Sequence, residues 1–597
     1  MIMGAKEWIK DLLINGSTEN ANKDSSLIST KKELSAGMIG GEIYLESLPA
    51  DITAAHRSGD IYIHDTGDRV YNSINCCLFD MTSLLDDGFE VNGIKCTEPT
   101  SVESALRVIA DVILHASSQQ YGGFTIPEID TVLAKYVRIG IKRSEEYYSK
   151  HIPELPHHRV HELAVAYVSR SLEQGFQAIE TRQNTINNAN GQTTFLTFSF
   201  GMDETPEGRL VTKILLENRK KGLGKNGATP IFPKLVFLRR KGINDDLYCQ
   251  AIDCSLSRMY PDYESVQAGY IGEMYEKYGK FPSPMGCRAY LSPYFNEDGE
   301  IVFTGRANCG AITLNTVRYA IEAKGDKDKY FELMDKNFEL ALRVHLITYD
   351  RLKDVKAKTN PLFFCEGGCH IKLDPEDTIE EAIKTFTWSF GYIGLGEASK
   401  LMTGKQIHED NSFAIEVLQH LDKLVQKAKK DHNMLFAIYG TPAESLCFTL
   451  RNKDFKKYGS IEGATDKEYY TNSFHVDVRA KINPLDKQDI ELPMFNISTG
   501  GRITYNEYPR TTNLEGVKAI VDHGIDNGQY VGINMELDQC NSCGAKGEFK
   551  NHICDHCGSD DIVYVNRVCG YLGYEHRMNK GKIEEKSFRR DHFELEV

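Results

Sequence analysis

No stretch of 18 consecutive apolar residues occurs anywhere in the chain, so no membrane-spanning helix is expected. Positive charge is also scarce. Seventy Lys and Arg stand against 85 Asp and Glu, a net charge of −15, which argues against a protein that coats nucleic acid, because phosphate contacts need clustered basic residues. The opening MIMGAKEWIKDLLINGS has neither a continuous apolar segment nor a small-residue cleavage site, so it does not read as a secretory leader. No internal repeat or low-complexity tract interrupts the chain. The Gly- and Lys-rich KGLGKNG (221–227) lacks the GxxxxGKS spacing of a P-loop. What remains is a 597-residue chain, 41% apolar, long enough for several domains or one large barrel. Fifteen cysteines in an acidic chain without a leader point to a reducing cytoplasm, where cysteines serve as ligands or catalysts more than as disulfides.

Short β-like runs recur along the chain: IYIHD (61–65), TTFLTFSFG (193–201), KLVFLRRKG (234–242), GAITLN (310–315), LFAIYG (435–440), GRITYNEY (501–508) and QYVGIN (529–534). Helical stretches lie between most of them. SVESALRVIADVILHA (101–116) carries apolar residues at helical spacing, and helical character continues to about residue 180; KYFELMDKNFELALRVHLITYDRL (329–352) and NSFAIEVLQHLDKLVQKAKKD (411–431) follow. Strands alternating with helices over some 500 residues imply an α/β sheet or barrel. Near 538 the composition changes to short text punctuated by Cys and Gly, the mark of a small appended module.

That module contains Cys540-x2-Cys543-x10-Cys554-x2-Cys557. Each CxxC closes a tight knuckle, with Gly544 and Gly558 after the second cysteines, where the backbone must turn. Four thiolates favour tetrahedral Zn, with iron as the rival metal. His552 and His556 are surplus to four ligands. A ribbon this small has too little core to fold unaided, so the metal supplies folding free energy. FFCEGGCH contains Cys365 and Cys369, a bare CxxxC that stays unassigned; Cys309 and Cys447 read as structural.

Directly after the ribbon comes VNRVCGYLGY (565–574). Gly570 could serve a turn. Alternatively, its Cα–H, flanked by an amide nitrogen and a carbonyl, can lose a hydrogen to give a delocalised radical that a side chain would crowd. RVCGYLG resembles the glycyl-radical signature near a C-terminus. With the four-Cys ribbon before it, and with ENANKDS (19–25), NCC (75–77), SPMGCR (283–288), GRAN (305–308), GTPAESLC (440–447), YYTNSFHV (469–476) and TGGRITY (499–505), nearly the whole chain resembles the anaerobic (class III) ribonucleoside-triphosphate reductase family, large catalytic subunit, nearest its short phage-type members.

The resemblance implies roles at matching positions. Gly570 would store the radical, and Cys287 would become the thiyl that abstracts the ribose 3′ hydrogen. Cys76 would deliver hydrogen to C2′ as the hydroxyl leaves as water, while its neighbour Cys77 is core. Met285 and Asn308 match positions linked to formate as the external reductant. Thr441, Ala443, Glu444 and Ser445 lie in the segment similar to the family's substrate-phosphate loop, where a strand–loop–helix start offers free N–H groups.

The implied fold is a ten-stranded α/β barrel of two five-stranded halves over residues 1–535, a zinc ribbon over 536–564, and a glycyl radical loop and tail over 565–597. A loop bearing Cys287 would enter from one end and the glycine loop from the other. The family's N-terminal ATP cone is not expected, since 18 residues precede the shared region. Specificity control by dNTP or ATP effectors at a homodimer interface is expected, with the helices of 101–180 as the candidate region. The radical would be installed by a separate activase that carries a 4Fe–4S cluster and cleaves S-adenosylmethionine; nothing in this chain resembles its three-Cys motif. Two other readings compete: a different glycyl radical enzyme, such as a formate-acetyltransferase-like acyltransferase or a diol dehydratase, and a non-catalytic zinc-ribbon nucleotide-binding protein.

Overall fold

The computed structural model describes residues 2–18, 21–549 and 552–589. The first two residues of ENANKDS and the tail from 590 onward lie outside the described residues. Ten strands follow one another around the main sheet: β1 Cys77–Leu78, β2 Phe124–Ile126, β3 Leu196–Phe200, β4 Lys234–Arg239, β5 Asp262–Ser265, β6 Arg306–Asn315, β7 Thr387–Ile393, β8 Leu435–Gly440, β9 Thr504–Glu507 and β10 Tyr530–Asn534. Their order is β8-β7-β6-β1-β2-β3-β4-β5-β10-β9, and an eleventh strand, Ile61–Ile63, pairs antiparallel with β6.

The order divides the sheet into two halves. β1 to β5 are parallel neighbours in chain order. β6, β7 and β8 are parallel, as are β9 and β10. The halves meet antiparallel at two seams, β1 on β6 (Cys77 opposite Ala307) and β5 on β10 (Glu264 opposite Tyr530). The sheet ends join just before β9. Gly440 N–H donates to Gly501 O at 2.8 Å and Gly500 N–H to Ile438 O at 2.7 Å, with Tyr439 and Gly501 in a parallel bridge. The result is the closed ten-stranded barrel of two five-stranded halves that the resemblance implies. Because the halves are antiparallel, the starts of β1–β5 share one end of the barrel with the finishes of β6–β10.

Parallel strands covered on both faces read as continuous buried runs rather than alternating ones, and β3, β4, β6 and β7 are buried at every position. Helices close the outside. Val102–Ser117 starts at a capping box between Ser101 and Ser104 and buries a face including Leu106, Ile109 and Ile113. Pro206–Lys221 starts at Thr205 with a proline in its first turn. Among the described residues, no helix is long and apolar enough to cross a membrane.

Candidate active site

Between β5 and β6, at the junction of the halves, the chain folds into a finger inside the barrel. Met285 and Ala289 exchange backbone hydrogen bonds at 2.8 and 3.1 Å, with Gly286 in the left-handed region at φ 51°. The finger is held along its length by backbone: Tyr290 N–H donates to Gly500 O (2.9 Å) and Arg502 N–H to Arg288 O (3.1 Å). At the tip Gly286 lies against Gly123; a Cβ on Gly123 would fall 2.7 Å from Gly286 Cα. Cys287 follows this glycine. Its carbonyl accepts from Lys234 Nζ at 2.5 Å, and the same ammonium lies 3.3 Å from the Asp262 carboxylate, both fully buried.

The other hairpin arrives from the opposite end of the barrel. Val565–Arg567 pairs antiparallel with Leu572–Tyr574, which puts Val568, Cys569, Gly570 and Tyr571 in its tip. Arg567 anchors it by an ion pair to Asp262 (2.8 Å) and bonds to Met259 O and Ile533 O. Leu572 N–H donates to Tyr260 Oη at 3.2 Å. Gly570 is not among the left-handed glycines, so its backbone conformation does not demand glycine. The space does: a Cβ built on it would lie 2.5 Å from Cys287 Cα and nearer still to Cys287 Cβ. Cys287 Sγ and Cys569 Sγ are 3.9 Å apart. No spacing or motif announces this sulfur pair, whose members are far apart in the chain.

Cys76 stands just before β1. Its Sγ accepts from Gly123 N–H at 3.0 Å and donates to Asn75 Oδ1 at 2.8 Å. Gly122 and Gly123 are glycines for packing reasons, since a Cβ at 122 would lie 2.7 Å from this sulfur. As Gly123 also abuts Gly286, Cys76 stands beside the finger tip. Cys77 is fully buried in the strand and donates to Gln120 Oε1. Asn308 is opposite: its N–H donates to Cys76 O at 2.7 Å and its carbonyl accepts from Asn75 N–H at 2.9 Å. A bulge where β6 faces β7 turns Asn308, whose side chain bonds Gly310 N–H and Ser389 Oγ. Met285, fully buried, packs in one apolar cluster with Cys76 and Tyr439. Tyr439, which belongs to no recognisable motif, thereby joins the two cysteine segments.

Burial pushes the Cys76 thiol up to about 12 and holds the Cys287 thiol far above its ordinary value, in Cys287 with a further contribution from the adjacent Cys569. Both sulfurs therefore keep their hydrogen at neutral pH. Arg288 is fully buried beside them. It bonds Ser473 Oγ (3.3 Å) and His475 Nε2 (3.1 Å), while its Nε and Nη2 have no hydrogen-bond partner among the described residues. Against the upward push of burial, the hydrogen bond from Cys287 and the nearby Arg288 guanidinium draw the Cys569 thiol down to about 6, so two hydrogen-carrying thiols stand beside a buried cation and a third sulfur inclined to ionise.

After β8, residues 441–445 form a loop before the helix Leu446–Tyr458. Ser445 makes no side-chain cap, so the first turn offers backbone N–H groups. Thr441 Oγ1 lies 2.9 Å from Thr313 Oγ1. Ala443 is left-handed at φ 50°, and the Glu444 carboxylate is turned to the glycine hairpin, where it accepts from Tyr571 O–H. Cys365 and Cys369 are both buried in the main core, as is Cys309, while Cys447 packs in the smaller cluster beneath Leu446.

In the ribbon the Sγ atoms of Cys540, Cys543, Cys554 and Cys557 all lie within 4.8 Å of one another, with separations of 3.6 Å (540–557) and 3.7 Å (543–554). Four sulfurs about 2.3 Å from a tetrahedral Zn would stand about 3.8 Å apart, so the cluster fits that ion. Gly544 and Gly558, at φ 76° and 74°, each return an N–H to the first cysteine of their knuckle at 2.8 Å. The ribbon rests on KGLGKNG: Gln539 Nε2 donates to Asn226 O (2.8 Å), and Asn226 Nδ2 donates to Asn541 O. That loop seats the ribbon, a use its composition did not disclose.

Residues 19–592 match the family described as anaerobic ribonucleoside-triphosphate reductase. The chain belongs to that family. It is 36% identical over 619 residues to the anaerobic ribonucleoside-triphosphate reductase of Escherichia coli strain K12, covering 99% of this chain and 85% of that one. It is 35% identical over 613 residues to the enzyme of Enterobacteria phage T4, covering 98% and 97%. The Thermotoga maritima anaerobic ribonucleotide reductase, solved in complex with dATP and CTP, shares the fold at a TM-score of 0.69 and 18% identity, over 97% of this chain and 94% of that one. Membership bears out the resemblance and sets aside both the acyltransferase or diol-dehydratase reading and the non-catalytic one: the protein is an anaerobic ribonucleotide reductase.

Proposed function

We propose that this reductase converts ribonucleoside triphosphates to 2′-deoxyribonucleoside triphosphates for DNA synthesis by radical chemistry, with Gly570 as the resting place of the unpaired electron and formate as reductant. The observation that carries the reading is the contact between Gly570 and Cys287, at a glycine required by space and not by backbone angle. In this account Cys287 gives its thiol hydrogen to the Gly570 Cα and then takes the ribose 3′ hydrogen. The radical at C3′ makes the 2′ hydroxyl a good leaving group, Cys76 supplies hydrogen to C2′, and the hydroxyl departs as water. The 3′ hydroxyl proton goes to the departing water; formate is oxidised to carbon dioxide, its hydrogen restoring the Cys76 thiol and its remaining electron, with a proton, reducing the substrate at C3′, after which Cys287 returns the 3′ hydrogen and regains its radical. Asn308 and Met285 frame the reductant's space, and the cationic Arg288 beside them suits a small carboxylate. The loop of Thr441, Ala443, Glu444 and Ser445 receives the substrate phosphates on its N–H groups.

The zinc held by Cys540, Cys543, Cys554 and Cys557 supplies folding free energy to the ribbon, which bases the glycine hairpin. The 101–180 helices form the homodimer and dNTP or ATP effector region, and a separate activase using S-adenosylmethionine and a 4Fe–4S cluster installs the radical in the cytoplasm. The test is anaerobic activation followed by electron paramagnetic resonance and formate-dependent CTP reduction. Cys287→Ser is expected to keep the glycyl doublet and lose at least about a thousandfold in reduction. A variant that reduces CTP, or a wild-type doublet that survives Gly570→Ala, would overturn the assignment.

A further inference from the structure

The Glu444 side chain reaches out of the 440–445 loop to two other segments. One carboxylate oxygen accepts from the Tyr571 O–H, the residue next to Gly570, and the other accepts from the Ala21 N–H. Its own carbonyl accepts from Asn579 Nδ2 at 3.3 Å, at the start of the helix Lys580–Phe588. Three segments remote in sequence therefore converge on one residue: 21–24, the loop after β8, and the glycine hairpin with its exit. The convergence is reinforced from both sides. Arg577 pairs with Asp24 at 2.6 Å, and a Cβ on Gly573 would touch Ala21. The Tyr571 ring is fixed independently against Phe195 (centroids 4.5 Å apart) and Phe232 (6.0 Å). The hydroxyl bond to Glu444 thus adds nothing needed to bury the ring; it links the ring to a loop.

Gly570 is buried against Cys287, so any partner that must reach its Cα requires the hairpin to withdraw, and the Tyr571–Glu444 bond must break when it does. We propose that Glu444 is a positioning residue that couples the nucleotide-phosphate loop to the seat of the glycine hairpin, so that a bound nucleoside triphosphate holds Gly570 against Cys287. The inference rests on the reading of 440–445 as the phosphate loop. Coupling of this kind is reciprocal: what steadies the hairpin tightens the nucleotide by the same factor. Such an arrangement would keep the radical's donor and acceptor together while substrate is present and release the hairpin when the loop is empty.

Hydrogen exchange on the unactivated, full-length protein under anaerobic conditions, with and without CTP, tests this. In the wild type, CTP is expected to slow exchange both in 440–446 and in 568–574, the latter by about 5-fold or more. Tyr571→Phe, which keeps the ring, should retain protection of 440–446 and lose that of 568–574. Glu444→Gln, whose single amide oxygen can still accept from the Tyr571 O–H although its NH2 cannot accept from the Ala21 N–H, should keep most of the hairpin response. Protection of the loop without the hairpin in the wild type overturns the coupling and leaves the phosphate reading standing. No protection of the loop overturns both. A Tyr571→Phe protein that responds like the wild type overturns the role of Glu444.

Discussion

Two hairpins meet at the centre of the barrel, and they are held in opposite ways. The finger bearing Cys287 is bound by main chain: Tyr290 and Arg288 form a short ladder with Gly500 and Arg502, and Ala289 bridges Gly501. The hairpin bearing Gly570 makes, among the described residues, no backbone-to-backbone hydrogen bond to the barrel. Its anchors are side chains: Arg567 on Asp262, Tyr571 on Glu444, and the Tyr260 hydroxyl under Leu572. A main-chain ladder forms and breaks with the fold, whereas side-chain anchors can part while the barrel stays closed. One hairpin is built in, and the other is docked.

The strongest way to break this pairing is Gly570→Ala. The added methyl would overlap Cys287 Cα and Cβ, and overpacking of that kind costs about 1–3 kcal/mol or more. The docked hairpin should give way because it has the weaker hold. Nucleotide reduction and the glycyl signal are expected to vanish, and exchange should rise in 565–577 while 283–290 stays protected. Loosening of the finger with a protected hairpin would reverse the comparison.

Much of this arrangement is legible in the sequence. Six of the ten barrel strands coincide with its β-like runs, most plainly Leu196–Phe200 and Lys234–Arg239, where burial at every position leaves little polar text. The other four are hidden for physical reasons. Cys77–Leu78 and Phe124–Ile126 are too short to show a period, and Asp262–Ser265 reads as polar because Asp262 and Glu264 are buried partners of Lys234, Arg567 and Tyr290. Thr387–Ile393 carries Gly391, where the Thr313 and Thr441 hydroxyls crowd in. The cysteine spacing reveals the ribbon, since ligands close in sequence announce themselves. Glu444 falls in a segment the resemblance marks, but nothing local announces its partners Tyr571 and Ala21, which lie 127 and 423 residues away.

A smaller perturbation acts on the base of the docked hairpin. Cys540→Ala removes one thiolate, and metal binding supplies on the order of 10–16 kcal/mol to the folding of comparable small zinc modules. Zinc content should fall to near zero and radical yield by about tenfold or more, since placement of Gly570 is steeply felt. The barrel's melting midpoint should move little, because Cys540 packs with Phe549 and Cys554 in a cluster of their own, apart from the main core. Full radical yield in a metal-free variant would show that the side-chain anchors suffice alone.

The mildest test acts on the built-in side. Glu264, in β5, accepts from the Tyr290 hydroxyl at the root of the finger, and burial pushes its carboxyl up from 4.5 to about 8. Below pH 4.5 the group is neutral whether the chain is folded or not. Between 4.5 and 8 only the unfolded chain gives up its proton, so this residue's contribution to stability falls as pH rises and levels off above 8. At about 1.36 kcal/mol for each pH unit of that window, the loss is on the order of a few kcal/mol at most. Glu264→Gln keeps an acceptor for Tyr290 and cannot ionise, so its melting midpoint should gain on the wild type between pH 5 and pH 8.5. The hairpin's exchange rate should be unchanged, because Glu264 holds the finger and not the glycine. Parallel midpoints across that range would mean that the carboxyl is already charged in the folded barrel and that the Tyr290 hydroxyl donates to a carboxylate.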